Sequence, residues 1–311
     1  MEDHFDRLPD CLLLDILDRL SDAKSLVRCL SVSSRFRSLV PLATSLRLLV
    51  DRVVPPSPSP SLFDSFAAFL NLFFPLPFPP PSSPYSSPSS VLRGFRCVRH
   101  LDIQLPSPVT LNDNGSTFLR YRATFGETLE ECVMIVGFRG KEGKEGAGRE
   151  VVKAADEEGE VKERVFWVIR ALVDACKRHN YAARELIREH QGLASLRMSD
   201  AAGEGVVEMG KRGLEECRKC PAPREGCRVP RVKMQMRYGR KTEVQRGGEV
   251  FEGATLVVVR TMNDDGTRDW PDGDDAARAT DAFGSDGGYK EAVGELMKNR
   301  SYSLEINSFL I

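Results

Sequence analysis

Residues 5–40 read FDRLPDCLLLDILDRLSDAKSLVRCLSVSSRFRSLV, and the apolar spacing in this stretch decides the fold of the head of the chain. Pro9 suits the first turn of a helix, where its missing N–H has no intrahelical acceptor, and Asp10 complements the helix dipole there. Leu13, Ile16, Leu17 and Leu20 then supply one apolar stripe at i, i+3, i+4 and i+7. Asp22 is placed to cap a second helix carrying Leu26, Cys29 and Leu30, while Val32, Phe36, Leu39 and Val40 form a third stripe interleaved with Arg35 and Arg37. Three short helices in so few residues lack the volume to hide this much Leu, Ile and Val among themselves. An exposed apolar face is expected, and such a face usually marks a partner surface.

The rest of the 311 residues excludes more than it names. Lys and Arg number 44 against 45 Asp and Glu, a net charge of −1, so a globally basic nucleic-acid binder is not expected. The opening MEDHFDRLPD carries four acids and lacks the basic start and apolar run of a signal peptide, so the chain is expected in the nucleus or cytoplasm. Eight scattered cysteines are unlike a disulfide scaffold and are expected to be reduced.

Eleven of the 19 prolines fall between positions 55 and 88. They divide the chain into a head at 1–50, a proline-rich linker at 55–90 and a larger domain at 91–311. Inside the linker, SLFDSFAAFLNLFF at 61–74 has helical spacing through Phe63, Phe66, Leu70, Phe73 and Phe74. At about 21 Å it is too short for a ~30 Å hydrocarbon core, so no transmembrane segment is expected. Its apolar face calls for a surface to lie on: the chain's own tail domain first, with a partner groove or a membrane surface as the alternatives.

Beyond residue 91, alternating apolar segments at 98–105, 129–138, 193–200, 229–238 and 254–261 predict strands with one face buried. A helix is predicted over 161–178, with Val161, Val165, Ile169, Leu172 and Cys176 as its stripe, and a second over Tyr181–His190. The L-x-x-L-x-L phrasing of HLDIQL and LASLRM suggests leucine-rich-repeat-like units, too irregularly spaced for a regular horseshoe. The fold class is therefore α+β or α/β: a three-helix head followed by a degenerate leucine-rich-repeat-like α/β domain. Runs 139–150 and 263–288 are expected to be long surface loops.

The head resembles the F-box motif through Leu8-Pro9, Ile16-Leu17, Leu20, Leu26, Val32-Ser33, Phe36 and Leu39-Val40. F-box proteins are substrate receptors of SCF (Skp–cullin–F-box) ubiquitin ligases. The resemblance implies that Leu8, Pro9, Ile16, Leu17, Leu20, Leu26, Val32, Ser33, Phe36 and Leu39 form the contact with a Skp-type adaptor or its immediate support. Phe36 stands where many F-boxes carry Trp. In the tail, LDIQLPS, YRATFGETLEECVMIVG, ARELIREHQGLASLRMSD, FEGATLVVVR and KNRSYSLEINSF are similar to a plant group that includes the auxin-up-regulated F-box proteins. The resemblance implies an adaptor that reaches cullin and RING subunits through the Skp-type protein and holds an unidentified client with its tail. A Skp-binding scaffold outside ubiquitin transfer is the competing class.

Chemistry of the chain's own is not expected. No G-x-S-x-G, P-loop or H-E-x-x-H string occurs, which argues against an enzyme. Cys97 with His100, Cys176 with His179, and Cys217 with Cys220 and Cys227 have spacings that zinc accepts. A buried core thiol at Cys176 and coincidence at the others are the favoured reading, with 217–227 the main place for zinc otherwise, and no metal or cofactor is assigned. Residues 210–246 hold twelve Lys/Arg against four Glu, and 263–286 hold eight Asp against two Arg. The basic stretch has only Tyr238 for stacking on bases, so mutual offset of the two fields, or attraction of a charged client, is favoured over nucleic acid.

Overall fold

A computed structural model describes residues 4–50, 91–106, 117–140, 157–220, 228–244, 249–262, 275–284 and 287–310. The chain forms two units. Unit 1 comprises Met1–Pro108, Arg178–Ala202 and Val207–Glu225; unit 2 comprises Val109–Lys177, Gly203–Val206 and Gly226–Ile311. The architecture is α+β: short N-terminal helices followed by mixed sheet and further helices. Among the described residues no helix is long and apolar enough to cross a membrane. The proposed linker helix at 61–74 lies outside the described residues.

Unit 1 begins with α1 (Asp10–Leu20), α2 (Ala23–Cys29) and α3 (Ser34–Leu39), then a 3-10 turn at Val40–Leu42. Next comes β1 (Ser45–Leu49), which pairs in parallel with β2 (His100–Leu105), and β2 pairs in parallel with β5 (Ser195–Asp200). The registers align Leu46 with Leu101 and Leu196, and Leu48 with Ile103 and Met198, two apolar rows that are all buried. The rows follow from the period of two in each strand, which sends alternate side chains to one face. The residues between them form a charged row on the other face. Arg47 Nε is 3.3 Å from Asp102 Oδ2, Arg197 reaches the same carboxylate at 4.0 Å, and Arg197 Nε meets Glu208 at 3.2 Å on β6 (Gly205–Met209). Signs alternate along this row, so no like charges face each other.

Unit 2 is built on an antiparallel sheet in the order β3, β4, β9, β8, β10: β3 (Thr117–Phe125), β4 (Leu129–Gly140), β8 (Val232–Val244), β9 (Glu249–Thr261) and β10 (Ser301–Ile306). The short β7 (Arg228–Val229) and β11 (Phe309–Leu310) pair separately. One face packs on α6 (Asp275–Phe283) and α7 (Gly287–Met297), burying Phe118, Val133, Ile135, Phe251, Leu256 and Val258 against Ala279, Phe283, Tyr289 and Leu296. The other face carries the buried Tyr121, Cys132, Met134 and Val257. The long helix α4 (Glu157–Glu185) is tied to that face by the Tyr121 hydroxyl, which donates to Asp174, and by Arg164, 3.8 Å above the Tyr238 ring. Gly205 is required here, because a Cβ would stand 2.5 Å from the Tyr121 ring. In β9, Gly253 takes φ 59° where the register with β4 slips between Val136 and Phe138, a conformation a glycine adopts without strain.

Several expectations change. The strands at 129–138 and 254–261 are buried on both faces rather than one, because helices cover both sides of β4 and β9. The helices predicted at 161–178 and 181–190 form one helix ending at Glu185, since no Gly or Pro interrupts residues 177–181. Its buried side is Val168, Ala171, Leu172, Ala175 and Cys176, while Val165 and Ile169 are only half-buried. The stretch 263–288 is not loop throughout. Residues 275–283 are helical, and the repeat of Asp275, Ala279, Ala282 and Phe283 turns one face inward in an otherwise acidic sequence.

The division between the units falls inside α4, after Lys177. In unit 1, Arg178 Nη2 donates to Asp200 Oδ2 at 3.2 Å, and both side chains are buried. Removing one charge of such a pair strands the other away from water. Asp200→Ala is expected to cost about 3–5 kcal/mol in urea denaturation, and Arg178→Met combined with Asp200→Leu to cost clearly less.

Candidate functional site: the apolar face of the N-terminal helices

Pro9 stands at the N-cap of α1, one residue before the helix, with φ −60° and ψ 150°. Its carbonyl accepts from the amides of Leu12 and Leu13 at 3.1 and 3.2 Å. This Leu-Pro entry is fastened by Arg35 on α3. The guanidinium donates to Asp10 Oδ1 from Nε at 2.9 Å and from Nη2 at 2.6 Å, to the Phe5 carbonyl at 2.8 Å, and to the Leu8 carbonyl. Arg matches this role because its planar fork serves several acceptors at once. Phe5 meets Phe36 edge to face, ring centroids 5.8 Å apart, leaving Phe36 half-buried.

α1 carries two adjacent i, i+4 rows with opposite fates. Leu12, Ile16 and Leu20 are 47%, 46% and 44% exposed, whereas Leu13 and Leu17 are 1% and 2% exposed. Rows one residue apart are rotated by about 100° around the helix, so one faces the head's interior and the other faces out. The stripe read from sequence as Leu13, Ile16, Leu17 and Leu20 therefore straddles both faces. Val27 and Val32 add exposed apolar surface from α2 and the α2–α3 turn.

The ten residues that the resemblance singled out divide accordingly. Pro9, Ile16, Leu20 and Val32 are exposed, and Leu8 and Phe36 are half-buried. Leu17, Leu26 and Leu39 are buried and hold the helices together. Ser33 is the N-cap of α3, its hydroxyl accepting from the Phe36 amide at 3.3 Å. Sequence reasoning missed Leu12, Val27 and Phe5 as surface. The signal for Leu12 was its place four residues before Ile16, obscured by the run Leu12-Leu13-Leu14.

Two local devices set the angles between helices. Ser21 ends α1 in the left-handed region, φ 48°, with its amide on the Leu17 carbonyl at 3.0 Å. Asp22 then caps α2, accepting from the Ser25 amide at 2.9 Å and from the Ser25 hydroxyl. The Ser25 hydroxyl bond holds the Asp22 carboxyl below the ordinary carboxylate value, against the opposing effect of burial. Asp18 joins α1 to the start of β1, accepting from Thr44 N at 2.6 Å, Thr44 Oγ1 at 2.8 Å and Ser45 N at 3.2 Å.

The F-box-like family model matches residues 5–46. Over 99% of this chain and 100% of the relative, the sequence is 39% identical to F-box protein AUF2 of Arabidopsis thaliana; with AUF1 of the same plant it is 36% identical at the same coverage. This chain belongs to the F-box proteins. Members of this family generally act as substrate-recognition subunits of SCF ligases, typically as non-catalytic adaptors, and the F-box in general binds a Skp-type protein. No solved structure matches the chain.

Other candidate chemistry is absorbed by the fold. His100 Nδ1 lies 2.9 Å from Ser195 Oγ, and Cys217 Sγ lies 3.4 Å from His179 Nε2. Among the described residues no three His, Cys, Asp or Glu side chains come together as a metal set; Cys227 lies outside the described residues. Some basic residues of 210–246 serve structure: Arg218 on α5 (Lys211–Lys219) binds the His190 and Leu193 carbonyls, Arg231 pairs with Glu305, and Arg237 binds the Met297 and Asn299 carbonyls. In the acidic stretch Asp275 pairs with Arg260 at 2.9 Å.

A depressed carboxyl stabilises the fold above the ordinary carboxylate range, and that contribution disappears as pH falls through its lowered value. Asp22→Ala is expected to cost about 1 kcal/mol at neutral pH, a difference that vanishes in strong acid, read from chemical denaturation across a pH series. Ser21→Gly removes a left-handed non-glycine residue and is expected to stabilise the head by about 1 kcal/mol in the same measurement.

Proposed function

We propose that this protein is the substrate-recognition subunit of an SCF ubiquitin ligase, docking on a Skp-type adaptor through the outward row of α1. The observation that carries the proposal is the exposure of Leu12, Ile16 and Leu20 beside Val32, on a head whose second row, Leu13 and Leu17, is buried. An exposed apolar row of this kind usually marks a partner surface. Pro9, Leu8 and Phe36 border the row, and Leu17, Leu26, Ser33 and Leu39 support it from within. The Skp-type adaptor brings cullin and RING subunits, and residues 91–311 hold the client so that its lysines lie near the charged ubiquitin. Ubiquitin transfer then gains from proximity: tethering substitutes an effective concentration for free diffusion, and the receptor needs no reactive side chain of its own. Action in the nucleus and cytoplasm is part of the same proposal.

Exposure separates binding from folding in the test. Ile16→Lys combined with Leu20→Lys should leave the melting temperature nearly unchanged and abolish pull-down of the Skp-type adaptor, each change costing on the order of 2 kcal/mol of binding. Leu17→Ala should instead destabilise the head by about 2–5 kcal/mol. Full adaptor binding by the double lysine variant would sink the proposal. Adaptor binding by the wild type without co-purifying cullin would favour the scaffold reading.

A further inference from the structure

Among the described residues the exposed large apolar side chains concentrate at two places. Eight lie within residues 5–49, on the head and β1, and three, Tyr302, Leu304 and Leu310, lie within residues 302–310. The outward row of α1 in the first group has its proposed occupant in the adaptor; the second group has none assigned.

Tyr302 and Leu304 stand on β10, the last strand of the unit 2 sheet. It pairs with β8 through six consecutive residues, Ser301↔Arg237 to Ile306↔Val232, with no shift of register. No other described strand pairs with its far side, and residues 301–305 are all exposed. Edge strands are normally blunted by proline, lysine, a bulge or a cover. Ser301–Ile306, SYSLEI, contains no proline or lysine and shows no bulge. Tyr302 and Leu304 share a face, because their partners across the ladder are Met236 and Met234; Tyr302 is 59% and Leu304 39% exposed. The other face carries Ser301, Ser303 and Glu305, the last paired with Arg231 at 3.2 Å.

We propose that β10 is a self-association edge: two copies of this chain pair antiparallel along Ser301–Glu305 about a two-fold axis through Ser303, continuing the sheet across the pair. The strand is complementary to itself in this register. Tyr302 faces the partner's Leu304 and Leu304 the partner's Tyr302, an aromatic–aliphatic cross-strand pair formed twice. On the other face Ser301 sits opposite the partner's Glu305, and Ser303 opposite the partner's Ser303, so no like charges meet. Two-fold symmetry repeats every contact. An unrelated extended peptide would find the same backbone edge, but nothing in residues 301–306 selects one, whereas self-pairing satisfies both faces of the strand at once.

A five-residue edge lies at the small end of interface sizes, so a dissociation constant of roughly 10–100 µM is expected. Sedimentation of the full chain, alone and bound to its Skp-type adaptor, from about 1 to 200 µM should show conversion from one copy to two across this range. Leu304→Lys or Tyr302→Lys should raise the dissociation constant about tenfold or more, with the melting temperature unchanged. Ser303→Cys should form a covalent dimer on mild oxidation, beyond any wild-type background, while Glu305→Cys should not, because only residue 303 faces itself. A single-copy mass throughout, or dimers that neither lysine variant weakens, would overturn the proposal. Should a lysine variant melt early, the contrast between the two cysteine variants decides the matter: equal cross-linking of both overturns it, and cross-linking of Ser303→Cys alone upholds it.

Discussion

Five parallel pairs between β1 and β2, Ser45↔His100 to Leu49↔Gln104, fasten the helical head to the sheet of unit 1. Asp18 anchors the entry to β1, and the Ser21 carbonyl accepts from the Arg47 amide at 2.7 Å, so α1 and β1 are held to each other by backbone as well as side chain. Both flanks of the proline-rich segment at 55–90 therefore belong to one unit: Leu49 leads into it, and its exit returns to the neighbouring strand. A segment whose two ends meet again in one sheet does not set the distance between the head and the rest of unit 1.

That attachment gives the outward row of α1 its meaning. With Leu13 and Leu17 turned inward and Arg35 locking the Leu-Pro entry onto α3, the head has no freedom to bury Leu12, Ile16 and Leu20 by rearranging. Exposure here is a consequence of geometry rather than of looseness. The constraint is local, made of caps and one guanidinium.

Much of the head was legible because its information is local. Helical period, the Asp22 cap and the spacing from Leu8 to Leu39 all act within a few turns of chain. The choice between Ile16 and Leu17 as the outward residue was not legible, since adjacent positions on one helix are separated only by what packs beneath them. In the tail, β2, β4, β5, β8 and β9 were visible as apolar segments, but their burial depended on partners outside each segment: α6 and α7 pack on one face of β4 and β9, and α4 is tied to the other face of the same sheet through Tyr121 of β3. β1 escaped notice because SLRLL is short and its partner lies beyond the prolines. The helix at Asp275–Phe283 was hidden by acidic neighbours, although Ala279, Ala282 and Phe283 already marked its inner face.

The order of strands in unit 1 has a consequence for synthesis. β1 ends at residue 49, but β5, which completes the rows of Leu46 and Leu48 through Leu101, Ile103, Leu196 and Met198, is not finished until residue 200. At typical translation rates the head waits on the ribosome for about 10–30 s before its sheet can close. During that interval Leu46 and Leu48 of β1 lack the neighbours that bury them in the finished sheet.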